Sequence, residues 1–312
     1  MATDSSAAPS PTSVPQVIYS IIAGIGHRGR VTLRLILRTN SGRIALPIVL
    51  LHLTLVLAGS WLAPFSYTEF LYNETGELQQ FLAPSLQFWM GSDQFGRDVL
   101  SRVMSGATSL IIVSTAGAFL GITLGTAVGM SSAYKGGHVD NIVMRVLDGL
   151  MSLPSLLLAL LVITTLGPSA INIVATVAIV TVPRVARVLR SITLSLKELD
   201  FVQNARLRGE STSYIDFREL LPNTLPVLGV ELSVRLSYSI LMVSSLGFLG
   251  MGVQPPSPDW GLMISQNAKF LSIAPWVSLA PAAAVASLVV GVNLLTDGIK
   301  QATGLPREGK PS

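Results

Sequence analysis

Charged side chains are scarce in this sequence, and the few that fall inside or beside apolar runs carry its chemistry. Glu231 and Arg235 stand four residues apart within one such run, so a helix places them on one face. Ions surrounded by lipid pair or face a cavity. Two readings follow: a polar patch on a solute path, or a local pair near the cytoplasmic interface with Arg235 snorkelling outward. Asp148 has the same two sides. It either lines a path or answers the positive N-terminal end of a helix, and the second fits its position better. Asp98 and Arg102 can pair across one helical turn, with Ser92 or Asp93 available as a cap. Val99, Leu100, Val103 and Met104 add an apolar face, so Met90–Leu110 reads as an amphipathic helix at a membrane interface. The last group is Phe201–Asn223, FVQNARLRGESTSYIDFRELLPN. It is polar between two apolar runs, with Arg206, Arg208 and Arg218, a Gly209 at its middle and Leu221-Pro222 at its end.

None of these groups is catalytic. There is no G-x-x-x-x-G-K-[ST] phosphate loop. His27, His52 and His138 are scattered and make no metal-ligand spacing, and no Ser–His–acid set can be assembled. With no cysteine, the chain has neither a disulfide framework nor a thiolate metal site. The sequence predicts no catalytic residue, no metal and no cofactor in this chain.

The elements that must position these groups are membrane helices. Half of the residues are hydrophobic and 12% are charged, about half the charge of an ordinary soluble chain. Several apolar runs reach the roughly 20 residues that cross a bilayer core, and only helices satisfy their own backbone there. We read six spans, at about 43–64, 105–131, 143–166, 170–190, 225–252 and 276–297. Pro154 and Pro183 permit kinks in the third and fourth. Residues 1–40 read as a cytoplasmic tail, disordered over its small, Pro-rich start, with no signal peptide. Residues 41–300 read as the membrane domain and 301–312 as a second tail.

Loop charges orient the bundle. Arg28, Arg30, Arg34, Arg38 and Arg43 precede the first span, and Arg184, Arg187, Arg190, Lys197, Arg206, Arg208 and Arg218 lie in 184–223. Segment 65–104 is acidic on balance, the turn at Gly167–Ala170 is uncharged, and 253–275 holds only Asp259 and Lys269. The positive-inside rule then puts both termini and the Phe201 loop in the cytoplasm. Arginines beside a span mark a membrane side, so no nucleic-acid partner is implied.

Five segments in order carry a resemblance. Gly91, Ser92, Asp93, Gly96, Arg97, Asp98, Ser101 and Arg102 follow G-T-D-x-x-G-R-D-x-x-S-R, with Ser for Thr at 92. Tyr134-Lys135-Gly136-Gly137 with Asp140 follows Y-x-G-G-x-x-D, and Met144–Asp148 with Leu153-Pro154 comes next. Ala205, Gly209 and Leu221-Pro222 fall on an E-A-A, three residues, Gly, about nine residues, Leu-Pro frame. Phe248–Pro256 with Trp260-Gly261 completes the series. Over about residues 40–300 the chain resembles the oligopeptide/dipeptide/nickel group of inner-membrane permeases of ABC importers.

That resemblance implies an all-α, six-helix, type I importer permease in a prokaryotic cell membrane, carrying peptides or a similar small solute. It implies a second permease subunit, two cytoplasmic ATPase subunits that bind the ATP and Mg, and an extracytoplasmic substrate-binding protein. It assigns coupling to Gln203, Asn204, Ala205, Gly209, Glu219, Leu221 and Pro222. The chain departs from the family at Gln203-Asn204, where the family has Glu-Ala; at Glu219, where His is usual; and at Val243, where Glu is frequent. Physically, the loop 196–223 needs a stiff helix over 196–208, ended by Gly209, with Pro222 bounding the next span. An ion-driven secondary carrier or channel is the alternative, and it usually shows inverted repeats. We find no convincing internal repeat.

The topology has a direct test. A membrane-impermeant thiol reagent should label Thr75→Cys from outside and leave Ser211→Cys unmodified in intact cells. The reverse pattern would refute the orientation.

Overall fold

The computed structural model describes residues 37 and 39–303. The basic arm through Arg38, apart from residue 37, and the tail with Arg307 and Lys310 lie outside the described residues. The helices are α1 (Asn40–Leu62), α2 (Val99–Lys135), α3 (Gly137–Met151), α4 (Ser155–Leu166), α5 (Ala170–Leu196), α6 (Asp200–Leu207), α7 (Leu221–Phe248), α8 (Trp260–Asn267) and α9 (Pro275–Thr303). Among the described residues, five helical segments are long and apolar enough to cross a membrane.

The expected third span, 143–166, is instead broken. α3 and α4 meet at 91° across Ser152–Pro154. Pro154 holds an extended backbone angle and donates no amide to the preceding turn, so the helix stops and restarts there. Pro183, by contrast, lies inside an uninterrupted α5.

The most extensive helix contact is α2 against α5. Gly117, Gly121, Gly125 and Gly129 repeat every four residues along the buried face of α2. A Cβ on Gly117 would stand 2.7 Å from the Cβ of Val177, and one on Gly125 2.7 Å from the Cβ of Val185. Gly129 lies against the backbone of Ala186. Without side chains in the way, the two backbones approach closely, and dispersion replaces the hydrophobic drive that lipid does not supply. The sequence reading did not use this four-residue glycine repeat.

On the outer side, buried Trp260 at the start of α8 donates to the Val103 carbonyl (2.9 Å) and meets the His52 ring edge-on at 6.1 Å. Gly106 leaves the room that the indole fills. His52 lies 2.9 Å from the Ile48 carbonyl at Nδ1 and, at Nε2, 3.3 Å from the Ala284 carbonyl and 3.4 Å from the Ser287 hydroxyl, so it links α1 to α9.

Asp259 caps α8 through the Leu262 amide (2.8 Å) and is 1% exposed. Its second carboxyl oxygen has no partner among the described residues. Burial pushes this carboxyl up to about 6, against the opposing pull of the Leu262 and Gly261 amides. The fold therefore favours its neutral form. The stability it contributes is full below about pH 4 and is lost as pH rises through about 6, on the order of 3 kcal/mol in all. Asp259→Asn keeps the capping oxygen and cannot ionise. Its melting temperature should fall less than wild type's between pH 4.5 and 7.5, measured in detergent.

Candidate coupling loop and polar pathway

The Phe201–Asn223 segment is a folded unit with its own core. Val202 and Ala205 of α6, with Ile215 and Leu220, pack against Ile122 and Met130 of α2 and Val185 and Leu189 of α5. α6 does not continue α5, as a single helix over 196–208 would. α5 ends at Leu196, and Leu199 is extended ahead of Asp200. Gln203 donates its side-chain amide to the Lys197 carbonyl (2.7 Å) and so braces this corner. A Glu carboxylate could not make that bond.

Gly209 ends α6 with φ +77°. The Glu210 amide bonds the Ala205 carbonyl (3.2 Å) and the Gly209 amide bonds Arg206 (2.9 Å). This is the paired closure that a left-handed residue completes at a helix end. A Cβ at Gly209 would meet nothing within 4 Å, so backbone conformation, not crowding within the chain, requires glycine. The face turned away from the core carries Asn204, Arg208 and Leu207, which is 86% exposed. Arg208 bridges Glu210 (3.7 Å) and Glu219 (3.6 Å).

Pro222 does not bound the next span, contrary to the sequence reading. The helix begins at Thr212 and runs on through Leu221 and Pro222 to Phe248. Ile215–Leu220 is a π-helical stretch, and the Leu221 amide reaches Asp216 five residues back. The wide turn lies where the Pro222 ring would otherwise meet the Arg218 carbonyl. Buried Asp216 accepts from Ser131 of α2 (2.8 Å).

α3 is held to α5 by two ion pairs. Arg190 grips Asp140 with three bonds of 2.6–2.9 Å. Arg187 pairs with Asp148. Because the span is broken, Asp148 lies in the last turn of α3, not at a helix N-terminus, and Arg187 balances it where no positive helix end does.

Glu231 and Arg235 do pair, at 2.8 Å, and both are mostly buried. Arg235 sits near the middle of α7 and lines a cavity with Arg184 of α5. Sequence reasoning treated Arg184, Arg187 and Arg190 only as loop charges. Their three-residue spacing on one helix was the available signal.

Outside, Met90–Asp98 is a run of turns, and helix begins only at Val99. Gly91 and Gly96 take φ +71° and +70°. Asp93 does not cap α2; it accepts from the Phe95 and Arg97 amides and from the Arg97 guanidinium at 2.7 Å. The cap is Asp98, which accepts from the Ser101 amide and hydroxyl at 2.7 and 2.6 Å. Its carboxylate thus engaged, Asp98 does not pair with Arg102, which instead approaches Asp93 (3.8 Å) and the Tyr67 carbonyl (3.3 Å). The 73–77 turn repeats the same bonding, with Asn73 accepting from the Thr75 and Glu77 amides. This small local repeat was not seen in the sequence.

A family model described as binding-protein-dependent transport system inner membrane component matches residues 117–303. The glutathione transport system permease protein GsiD of Escherichia coli O157:H7 is 36% identical over 265 residues, 85% of this chain and 86% of that protein. GsiD of Pectobacterium atrosepticum is 34% identical over 255 residues, 81% of this chain and 83% of that one. Among solved structures, an inward-facing MetNI methionine ABC transporter chain matches with a TM-score of 0.53 at 17% identity, covering 66% of this chain and 97% of that one.

Proposed function

The chain belongs to the binding-protein-dependent transport system inner membrane components, as a permease subunit of an ABC importer, and from that premise we propose that Phe201–Asn223 is where it receives the motion of an ATPase. One observation carries this reading. α6 buries Val202 and Ala205 in the core of α2 and α5, yet leaves Leu207, Asn204 and Arg208 exposed among the described residues. An exposed leucine on a braced helix suits a protein groove, and the shared core passes any displacement to two membrane helices at once. Gln203, Asn204, Ala205, Gly209, Glu219, Leu221 and Pro222 are the coupling residues, with Gln203 and Gly209 shaping the helix rather than touching the partner.

The chain itself catalyses nothing in this reading. Two partner ATPases hold ATP and Mg, a different permease subunit completes the pathway, and an extracytoplasmic binding protein delivers the solute. The solute is a peptide or similar small molecule, supported by the relatives that are named for glutathione transport. Asp148, Glu231 and Arg235 border the route. Gly91, Asp93, Gly96, Arg97, Asp98 and Arg102 build the outer turn that seats α2.

Gly209→Val separates coupling from folding. It strains a left-handed residue by roughly 1–2 kcal/mol, little beside a lipid-embedded bundle. Membrane levels should stay normal while transport and substrate-stimulated ATP hydrolysis are both lost. Intact transport would place coupling elsewhere. The purified chain alone should neither hydrolyse ATP nor take up solute. Uptake by the single chain without ATP would return the argument to an ion-driven carrier.

A further inference from the structure

Of the three arginines on one side of α5, Arg187 and Arg190 have carboxylate partners. Arg184 has none among the described residues; it donates only to the Val180 carbonyl (3.3 Å) and the Ser155 hydroxyl. Arg184 lines a cavity of about 300 Å³ with Arg235, Tyr238, Ser155, Thr181 and Ser239, and no carboxylate lines it. Glu231 balances Arg235 from beside the cavity, so the lining keeps one net positive charge. Thr181 and Ser239 are more than nine-tenths buried, and their hydroxyls make no hydrogen bond among the described residues.

The break in the third span adds a further positive element. Ser155 is the first residue of α4, and no side chain caps that helix start. A helix interrupted inside a membrane presents unpaired amides and the positive end of its dipole at that depth. Arg184 and Arg235 each lie near the middle of their helices, and the cavity lies between those two segments. A guanidinium fork, hydroxyl donors and a helix N-terminus are the groups that hold a carboxylate.

We propose that this cavity binds a carboxylate of the solute on its way through the membrane, and that the carrier favours anionic over neutral or cationic solutes. The proposal rests on the importer reading above. It makes Arg184 a solute-binding residue that only the folded chain reveals, and it explains why Arg184 has no carboxylate partner among the described residues where its neighbours do.

Two measurements test it. In the complete importer, reconstituted with its binding protein, Arg184→Gln should slow ATP-driven uptake of a tripeptide with a free terminal carboxylate by roughly tenfold or more. Arg184→Lys should restore most of it, and ATP hydrolysis stimulated by the loaded binding protein should persist in both. The second measurement needs no transport. The chain has no cysteine, so Val234→Cys puts its one thiol in the cavity wall. Within the complex, an anionic sulfonatoethyl thiosulfonate should modify it several-fold faster than the cationic trimethylammonium analogue, after correction for their rates with a free thiol. Arg184→Gln should erase that preference, and a dipeptide should slow labelling where its C-terminal amide does not. Equal or faster reaction of the cationic reagent, or equal protection by the amide, overturns the proposal. Absence of ATP-driven uptake by the wild-type complex would strike the importer reading instead, and the thiol measurement would still decide the cavity.

Discussion

Close approach of two backbones is the constraint on which the rest of this structure depends. Gly117, Gly121, Gly125 and Gly129 remove side chains from one stripe of α2, and α5 settles into it. In lipid, apolar side chains gain nothing by leaving the solvent, so helices hold together by dispersion at short range. Every other element of the chain is placed by its relation to this pair. α8 and the outer turns close over the N-terminal end of α2, while α3 and the loop gather at the cytoplasmic ends of α2 and α5.

The loop proposed above to receive an ATPase's motion illustrates why that placement matters. A loop that transmits force has to be stiff and has to be fastened to something stiff. α6 meets the first condition with a closed C-terminus at Gly209 and a braced N-terminal corner at Gln203. It meets the second through the cluster it shares with Ile122, Met130, Val185 and Leu189, and through Ser131 on Asp216. The π-helical stretch ahead of Pro222 lets the loop pass into α7 without a break, so the same body reaches from the exposed Leu207 to the level of Arg235.

Charge is used sparingly and mostly in pairs. Asp140 with Arg190, Asp148 with Arg187, and Glu231 with Arg235 leave few isolated ions in the membrane domain. The two shielded pairs, Asp140 with Arg190 and Glu231 with Arg235, add little net stability after desolvation, but removing one member is costly. They therefore fix where α3 lies and which way α7 faces. Against this background an arginine matched only by a serine and a carbonyl stands apart.

The sequence by itself determined the class, the orientation and the family. Apolar length, the asymmetry of arginine between loops, and an ordered series of motifs are properties of local composition, and they survive without knowledge of packing. It also announced the end of α6, because a glycine after a short helix has a local conformational reason. What only the tertiary structure decided were the pairings. Asp98 stood four residues from Arg102, yet it caps its own helix, since a cap satisfies amides that have no other partner while Arg102 can reach elsewhere. A single span through Pro154 became two helices at 91°, because a proline gives permission to bend and the surrounding helices set whether and how far. The cavity around Arg184 draws on residues from α4, α5 and α7. No pattern along a sequence encodes that meeting, because it depends on how deeply the helices sit against one another, and that depth is a property of the packed bundle.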